Sequence, residues 1–101
     1  MSVYMLARID VTNQGRHLSY VKRAMDSLDG FDAEVVALDD SPVTVEGRRS
    51  PGRLVIVRYR DRDEFERWYS SERYTNDTRP LRLASSDTDH VWLATAPPRP
   101  R

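Results

Sequence analysis

Residues 45–74 read VEGRRSPGRLVIVRYRDRDEFERWYSSERY. At the centre, Leu54-Val55-Ile56-Val57 lies within a strand expected over Arg53 to Arg60. An apolar run without alternation predicts burial on both faces and a central place in a sheet. Before it, Arg48-Arg49-Ser50-Pro51-Gly52 is loop chemistry, and Glu46-Gly47 suits a turn that tolerates positive φ. After it, Asp61 with Glu64 three residues on has the form of a capping box. Phe65, Trp68 and Tyr69 then fall at i, i+3 and i+4, which predicts a helix with one aromatic face over about 63–71.

Toward the N-terminus, Val3, Met5, Ala7, Ile9 and Val11 alternate with Tyr4, Leu6, Arg8 and Asp10. This predicts a strand with one apolar and one mixed face. Thr12 or Asn13 suits a helix cap, and Leu18, Val21, Met25 and Leu28 give a helical apolar stripe up to Asp29-Gly30. Ala33 to Leu38 reads as a second strand and Asp39-Asp40-Ser41-Pro42 as a turn, with Val43-Thr44-Val45 extending the hairpin arm. Toward the C-terminus, proline tolerance of a first helical turn allows a short helix over Pro80 to Ala84. His90 to Thr95 is the last strand. The expectation is one domain over residues 1–96 and a disordered Pro/Arg tail over 97–101.

The order strand, helix, strand, strand, helix, strand defines an α+β, ferredoxin-like βαββαβ fold with a four-stranded antiparallel sheet and both helices on one face. Val55 and Val57 point opposite to Leu54 and Ile56, so the face without helices is apolar as well. Such a face marks an interaction surface, and a second copy of the same sheet covers it most simply. The expected partner is therefore an identical chain, the two sheets meeting face to face as a dimeric α/β barrel.

Composition narrows the function. The 16 Lys+Arg residues balance 16 Asp+Glu residues. They interleave, as in Arg60-Asp61-Arg62-Asp63-Glu64, so no basic stripe suggests nucleic acid. The chain has no cysteine, which removes thiolate chemistry and Cys-ligated metals. No basic segment followed by a long apolar run opens the chain, and no run approaches a membrane span of ~20 residues. A cytoplasmic protein without membrane contact is expected. His17 and His90 form no metal-ligand spacing, and Gly15, Gly30, Gly47 and Gly52 form no phosphate loop or dinucleotide fingerprint. No metal and no cofactor are expected.

Asn13 and Tyr20, then Glu46-Gly47, the Arg53-headed apolar strand, Trp68-Tyr69-Ser70, Tyr74 and Leu81-Arg82 together resemble the domain-of-unknown-function 1330 family of the dimeric α/β-barrel superfamily. The resemblance runs over roughly residues 3–96. The chain departs from the family pattern at Asn13 (usually Asp), at Gly30-Phe31 (often Gly-Gly) and at Arg58-Tyr59 (commonly Glu-Phe). The Arg58 change makes the expected cleft more basic. The resemblance implies a dimerising ferredoxin-like barrel with a cleft between sheet and helices. The wider superfamily contains cofactor-independent monooxygenases, cyclases and isomerases, which is analogy at the level of fold.

The candidate site takes His17, Glu46 and Arg82 as catalytic residues. Tyr20, Arg58, Trp68, Tyr69 and Tyr74 are its ligand-binding residues. His17 or Glu46 would move a proton, and Arg82 or Arg58 would hold developing negative charge from a small apolar or acidic ligand. Each has a structural alternative. His17 reads more simply as an exposed helical residue, the aromatics as core, and Glu46, Arg53, Arg58 and Arg82 as ion pairs. The expected function is a small-molecule-binding protein or a cofactor-independent enzyme of cyclase, isomerase or monooxygenase type, acting in the sheet–helix cleft. The alternative is a non-catalytic dimeric interaction or stress-associated module.

Overall fold

The structure, a computed structural model, describes residues 1–48 and 52–97. Four strands, β1 (Val3–Val11), β2 (Ala33–Asp39), β3 (Arg53–Tyr59) and β4 (Ser86–Thr95), form one sheet in the order β2-β3-β1-β4. Every neighbouring pair is antiparallel. Helix α1 (Gln14–Ser27) joins β1 to β2. Helix α2 (Arg62–Tyr69), a π-helical turn (Arg73–Thr78) and helix α3 (Arg79–Ser85) join β3 to β4. The fold is α+β and ferredoxin-like, as the element order predicts.

The β1 alternation sets the two faces. Val3, Met5, Ala7 and Ile9 are buried, while Tyr4, Leu6, Arg8 and Asp10 are half-buried. Register then carries the pattern across: Met5 opposes Val57 and Ile9 opposes Arg53, whereas Leu6 opposes both Ile56 and Trp92. The helix-covered face thus holds Tyr59, Val57, Val55 and Arg53. The open face holds Leu6, Leu54, Ile56 and Trp92, and Trp92 is 48% exposed. Within one chain β3 is central in the sheet but covered on one face only.

Local chemistry sets the helix ends. Asn13 caps α1, its Oδ1 accepting from Arg16 N at 3.0 Å. Gly30, at φ +86°, reverses the chain after it. Gly52, at φ +116°, opens β3, and a Cβ there would sit 2.8 Å from Asp10 Oδ1, so glycine is required for β3 to start beside β1. Asp61 caps α2 through Glu64 N at 2.8 Å. The reciprocal half of the capping box is not made. The buried Glu64 carboxylate instead accepts from Asp32 N at 2.8 Å and from Arg67 Nη1 at 2.6 Å, tying the start of β2 to α2.

Three segments differ from the sequence expectation. Val43-Thr44-Val45 does not extend β2, and Val43 and Val45 are 85% and 90% exposed. Pro42 has no N–H to continue the ladder. Strand β4 begins at Ser86 rather than His90, because polar 86–88 pairs with the end of β1 beyond a register shift at Arg8/Ile9. Helix α1 is rotated from its apolar stripe: Leu18 is 64% exposed, while His17 and Ser27 are buried. The tail over 98–101 and loop residues 49–51 lie outside the described residues.

Candidate functional site

The layer between helices and sheet has two ends of different character. At one end Tyr59, Trp68 and Tyr74 are buried with Val3, Met5 and Val57, and Phe65 and Tyr69 pack against them. The Trp68 and Tyr74 rings lie 4.1 Å apart, and Tyr59 meets Phe65 edge-on at 5.2 Å. Trp68 Nε1 donates to Ser27 Oγ at 2.9 Å, and Ser27 Oγ in turn donates to Ala24 O at 2.6 Å, so the indole is satisfied in hydrogen bonds. The residual apolar cavity beside it, lined by Tyr20, Met25, Leu28, Val35, Leu38 and Trp68 among others, is ≈ 50 Å³. That is well below the several hundred Å³ of an ordinary ligand pocket.

The other end is polar. The α1 rotation turns His17 inward until only 1% of it is exposed, and its ring lies 5.5 Å from Tyr20. Arg53, on the inward register of β3, places Nη1 2.6 Å from His17 Nε2 and pairs with Asp40 at the end of β2. The π-helical turn and α3 bury Tyr74, Thr78, Arg82 and Ser85 in succession, so Tyr74 and Arg82 enter the same region. π-helical turns are rare and recur at functional sites, because the extra residue re-aims side chains. The Tyr20 and Tyr74 hydroxyls are hydrogen-bonded to one another, and the Arg82 charge acts on both.

Among the described residues three polar atoms of the helix–sheet layer are buried with no partner: His17 Nδ1 and Arg82 Nε at this end, and Tyr59 Oη, which reaches toward Tyr20 and Tyr74 from the aromatic end. An orphaned buried polar group costs about 1–3 kcal/mol, so three in one layer call for an explanation. Burial, reinforced by the Arg53 charge and partly opposed by Asp40, holds His17 below its ordinary pKa. The phenols of Tyr20, Tyr59 and Tyr74 are all pushed above the ordinary tyrosine value, first by burial. At neutral pH the cluster therefore contains a neutral imidazole, neutral phenols and two guanidinium groups. It is rich in donors and poor in acceptors.

Next to this cluster an open cleft of ≈ 410 Å³ is lined by Ile9, Asp10, Val11, Gln14, Asp40, Ser41, Gly52 and Arg53. Arg53 belongs to both, with one edge at the cleft wall and the other on His17.

Of the residues singled out from the sequence, His17, Tyr20, Tyr74 and Arg82 come together. Trp68 and Tyr69 belong to the aromatic end, where Tyr74 joins the two. Glu46 is exposed in the loop after β2, with no described contact to His17. Arg58 lies on the opposite face of the sheet, paired with Asp32 at 3.2 Å. Two cluster members were not among the site residues expected from sequence: Tyr59 and Arg53, the latter weighed there for ion pairing or an anion clamp but not placed in the site. Both lie on the inward register of β3 with Val55 and Val57, and a polar tip on that register is the signal that would have found them.

These features define an α+β ferredoxin-like domain with a donor-rich cluster buried at one end of its helix–sheet layer. The chain belongs to the family described as domain of unknown function 1330, which it matches over residues 2–96. No curated protein matches it. Among solved structures it is similar to a protein of unknown function from Rhodopseudomonas palustris, at 13% identity and TM-score 0.74, over 98% of this chain and 84% of that one. It is also similar to SnoaB, a cofactor-independent oxygenase from Streptomyces nogalater, at 17% identity and TM-score 0.68, over 97% and 95% of the two chains. A de novo designed protein, Foldit4, shares the fold at 22% identity and TM-score 0.56, over 98% and 100%. Likeness of fold at these identities carries no activity by itself. Among the described residues no helix is long and apolar enough to cross a membrane.

Proposed function

We propose that this protein binds a small organic oxyanion, a carboxylate, phenolate or enolate, entering through the Arg53 cleft. The observation that carries the reading is the set of unpartnered buried groups, His17 Nδ1, Arg82 Nε and Tyr59 Oη, beside two arginines. A donor-rich, water-poor cluster stabilises negative charge on oxygen far better than water-exposed groups do. Such stabilisation is what cyclisation, isomerisation or oxygenation through an enolate or phenolate needs, and the similarity to a cofactor-independent oxygenase fits that class. Arg53 and Arg82 hold the charge, and Tyr20 and Tyr74 line the approach.

The test is calorimetric titration with benzoate, 4-nitrophenolate and acetoacetate. Saturable binding that falls at least tenfold in Arg53→Met or Arg82→Met supports the reading. Binding equal in wild type and both variants, or none with any probe, contradicts it.

The open sheet face favours a second property, self-association. Leu6, Leu54, Ile56 and the exposed Trp92 form an apolar face that a second copy covers, giving a homodimer. Light scattering at micromolar concentration checks this: a dimer is expected, and Ile56→Glu is expected to give a monomer. The same face supports the alternative of a non-catalytic dimeric module. A dimer that binds none of the three probes would leave that alternative standing.

A further inference from the structure

The contact between Arg53 and His17 fixes more than position. Arg53 Nη1 lies 2.6 Å from His17 Nε2, and a guanidinium N–H can only donate. His17 Nε2 must therefore be the acceptor, and in the neutral ring the proton sits on Nδ1. That Nδ1 is buried and has no partner among the described residues. Arg53 is in turn held by Asp40, so a chain runs from an exposed carboxylate through a half-buried guanidinium to a buried imidazole.

We infer that His17 is locked by Arg53 as a neutral Nδ1–H donor, with Asp40 and Arg53 as its positioning residues, and that it presents a hydrogen bond to an anionic oxygen of the ligand instead of acting as a base. The inference rests on the oxyanion reading for the ligand and adds the role of each residue. A base needs a free lone pair, and the one on Nε2 is taken by Arg53. Protonation would place a second positive charge against Arg53. Among the described residues the groups facing the ring are Arg53 from β3, Asp40 just after β2 and Tyr20 from α1, with Tyr74 from the π-helical turn and Arg82 from α3 beyond Tyr20. Only Asp40 among them favours imidazolium, and it is mostly solvated and already paired with Arg53.

The decisive experiment is long-range proton–nitrogen NMR of His17 in a His90→Gln protein, which leaves one histidine and changes an exposed β4 residue. A pyrrole-type Nδ1 and a pyridine-type Nε2, unchanged from pH 8 to the ordinary histidine pKa of 6.5, are expected. A pyridine-type Nδ1, or a midpoint at or above 6.5, overturns the lock. Arg53→Met should release it, giving a tautomer mixture and a midpoint moved upward. Should that variant not fold, Asp40→Asn, at an exposed side chain, is expected to move the tautomer balance in the same direction. A spectrum identical to the parent in the folded variant overturns the positioning role.

Adding benzoate or acetoacetate to the parent separates the two levels. A perturbed Nδ1 signal supports the donor role. An Nδ1 signal unmoved by a probe that calorimetry shows to bind overturns the donor role while the oxyanion site stands. Failure of every probe to bind removes the oxyanion reading and leaves the tautomer result to be judged alone.

Discussion

The aromatic end and the polar end of the helix–sheet layer are built from adjoining residues of the same elements, yet they solve opposite problems. Around Trp68 every ring has a neighbour and the indole N–H has an acceptor. At the polar end His17 Nδ1 and Arg82 Nε are buried with none among the described residues, and Tyr59 Oη, where the two ends meet, has none either. Tyr74 belongs to both, packing its ring on Trp68 and pairing its hydroxyl with Tyr20. The first end follows the rule that interiors are close-packed and satisfied. The second breaks it, and departures from consistency are expected where a site is kept ready for a ligand. Stability and binding are thus separable within one layer.

The largest expected effect breaks the aromatic end. Trp68→Ala should destabilise by about 3–5 kcal/mol, the usual range for deleting a buried large aromatic. Denaturant unfolding checks it, and a loss below about 1 kcal/mol would mean this end is not the structural core.

Next is the alkaline limit. Folded Tyr20, Tyr59 and Tyr74 keep protons that the unfolded chain releases near its ordinary phenol pKa of 10.0. The unfolded state binds fewer protons there, so stability falls as pH rises through 10.0. Unfolding midpoints between pH 8 and 11 should show the decline, and Tyr59→Phe should lessen it.

Glu64→Ala comes third. It removes the acceptor of Asp32 N and leaves that N–H unpaired, for a loss of about 1–3 kcal/mol. A neutral outcome would show that the β2–α2 tie is dispensable.

The smallest effect is at the acid side. His17 is held below its ordinary pKa of 6.5, so the unfolded chain binds the extra proton first. Stability from this group is complete above 6.5 and declines as pH falls below it. His17→Gln should remove that part of the slope, and an unchanged slope would mean that His17 titrates as in solvent.

The comparison also explains what was legible in the sequence. Strand and helix order follow from local periodicity, and the β1 alternation predicts both sheet faces correctly. Apolar Leu18 and Met25 suggest one inward stripe for α1, whereas the helix buries His17 and Ser27. The reason is non-local. His17 meets Arg53 36 residues away, and Ser27 meets Trp68 41 residues away. Polar residues count as outward in a periodicity reading unless their distant partners are known. For the same reason the aromatic cluster was visible in one segment of chain. The polar cluster draws on α1, β3, the π-helical turn and α3, and only His17, Tyr20, Tyr74 and Arg82 stood out beforehand.

The most direct test of the separation is the unfolding free energy of Arg82→Met measured beside that of Trp68→Ala. Replacing a buried charge that lacks full pairing by an apolar chain of similar length is commonly neutral or stabilising. The account predicts an Arg82→Met protein at least as stable as the wild type, with binding of benzoate, 4-nitrophenolate and acetoacetate lost. A destabilisation approaching that of Trp68→Ala would contradict it and return Arg82 to the structural core.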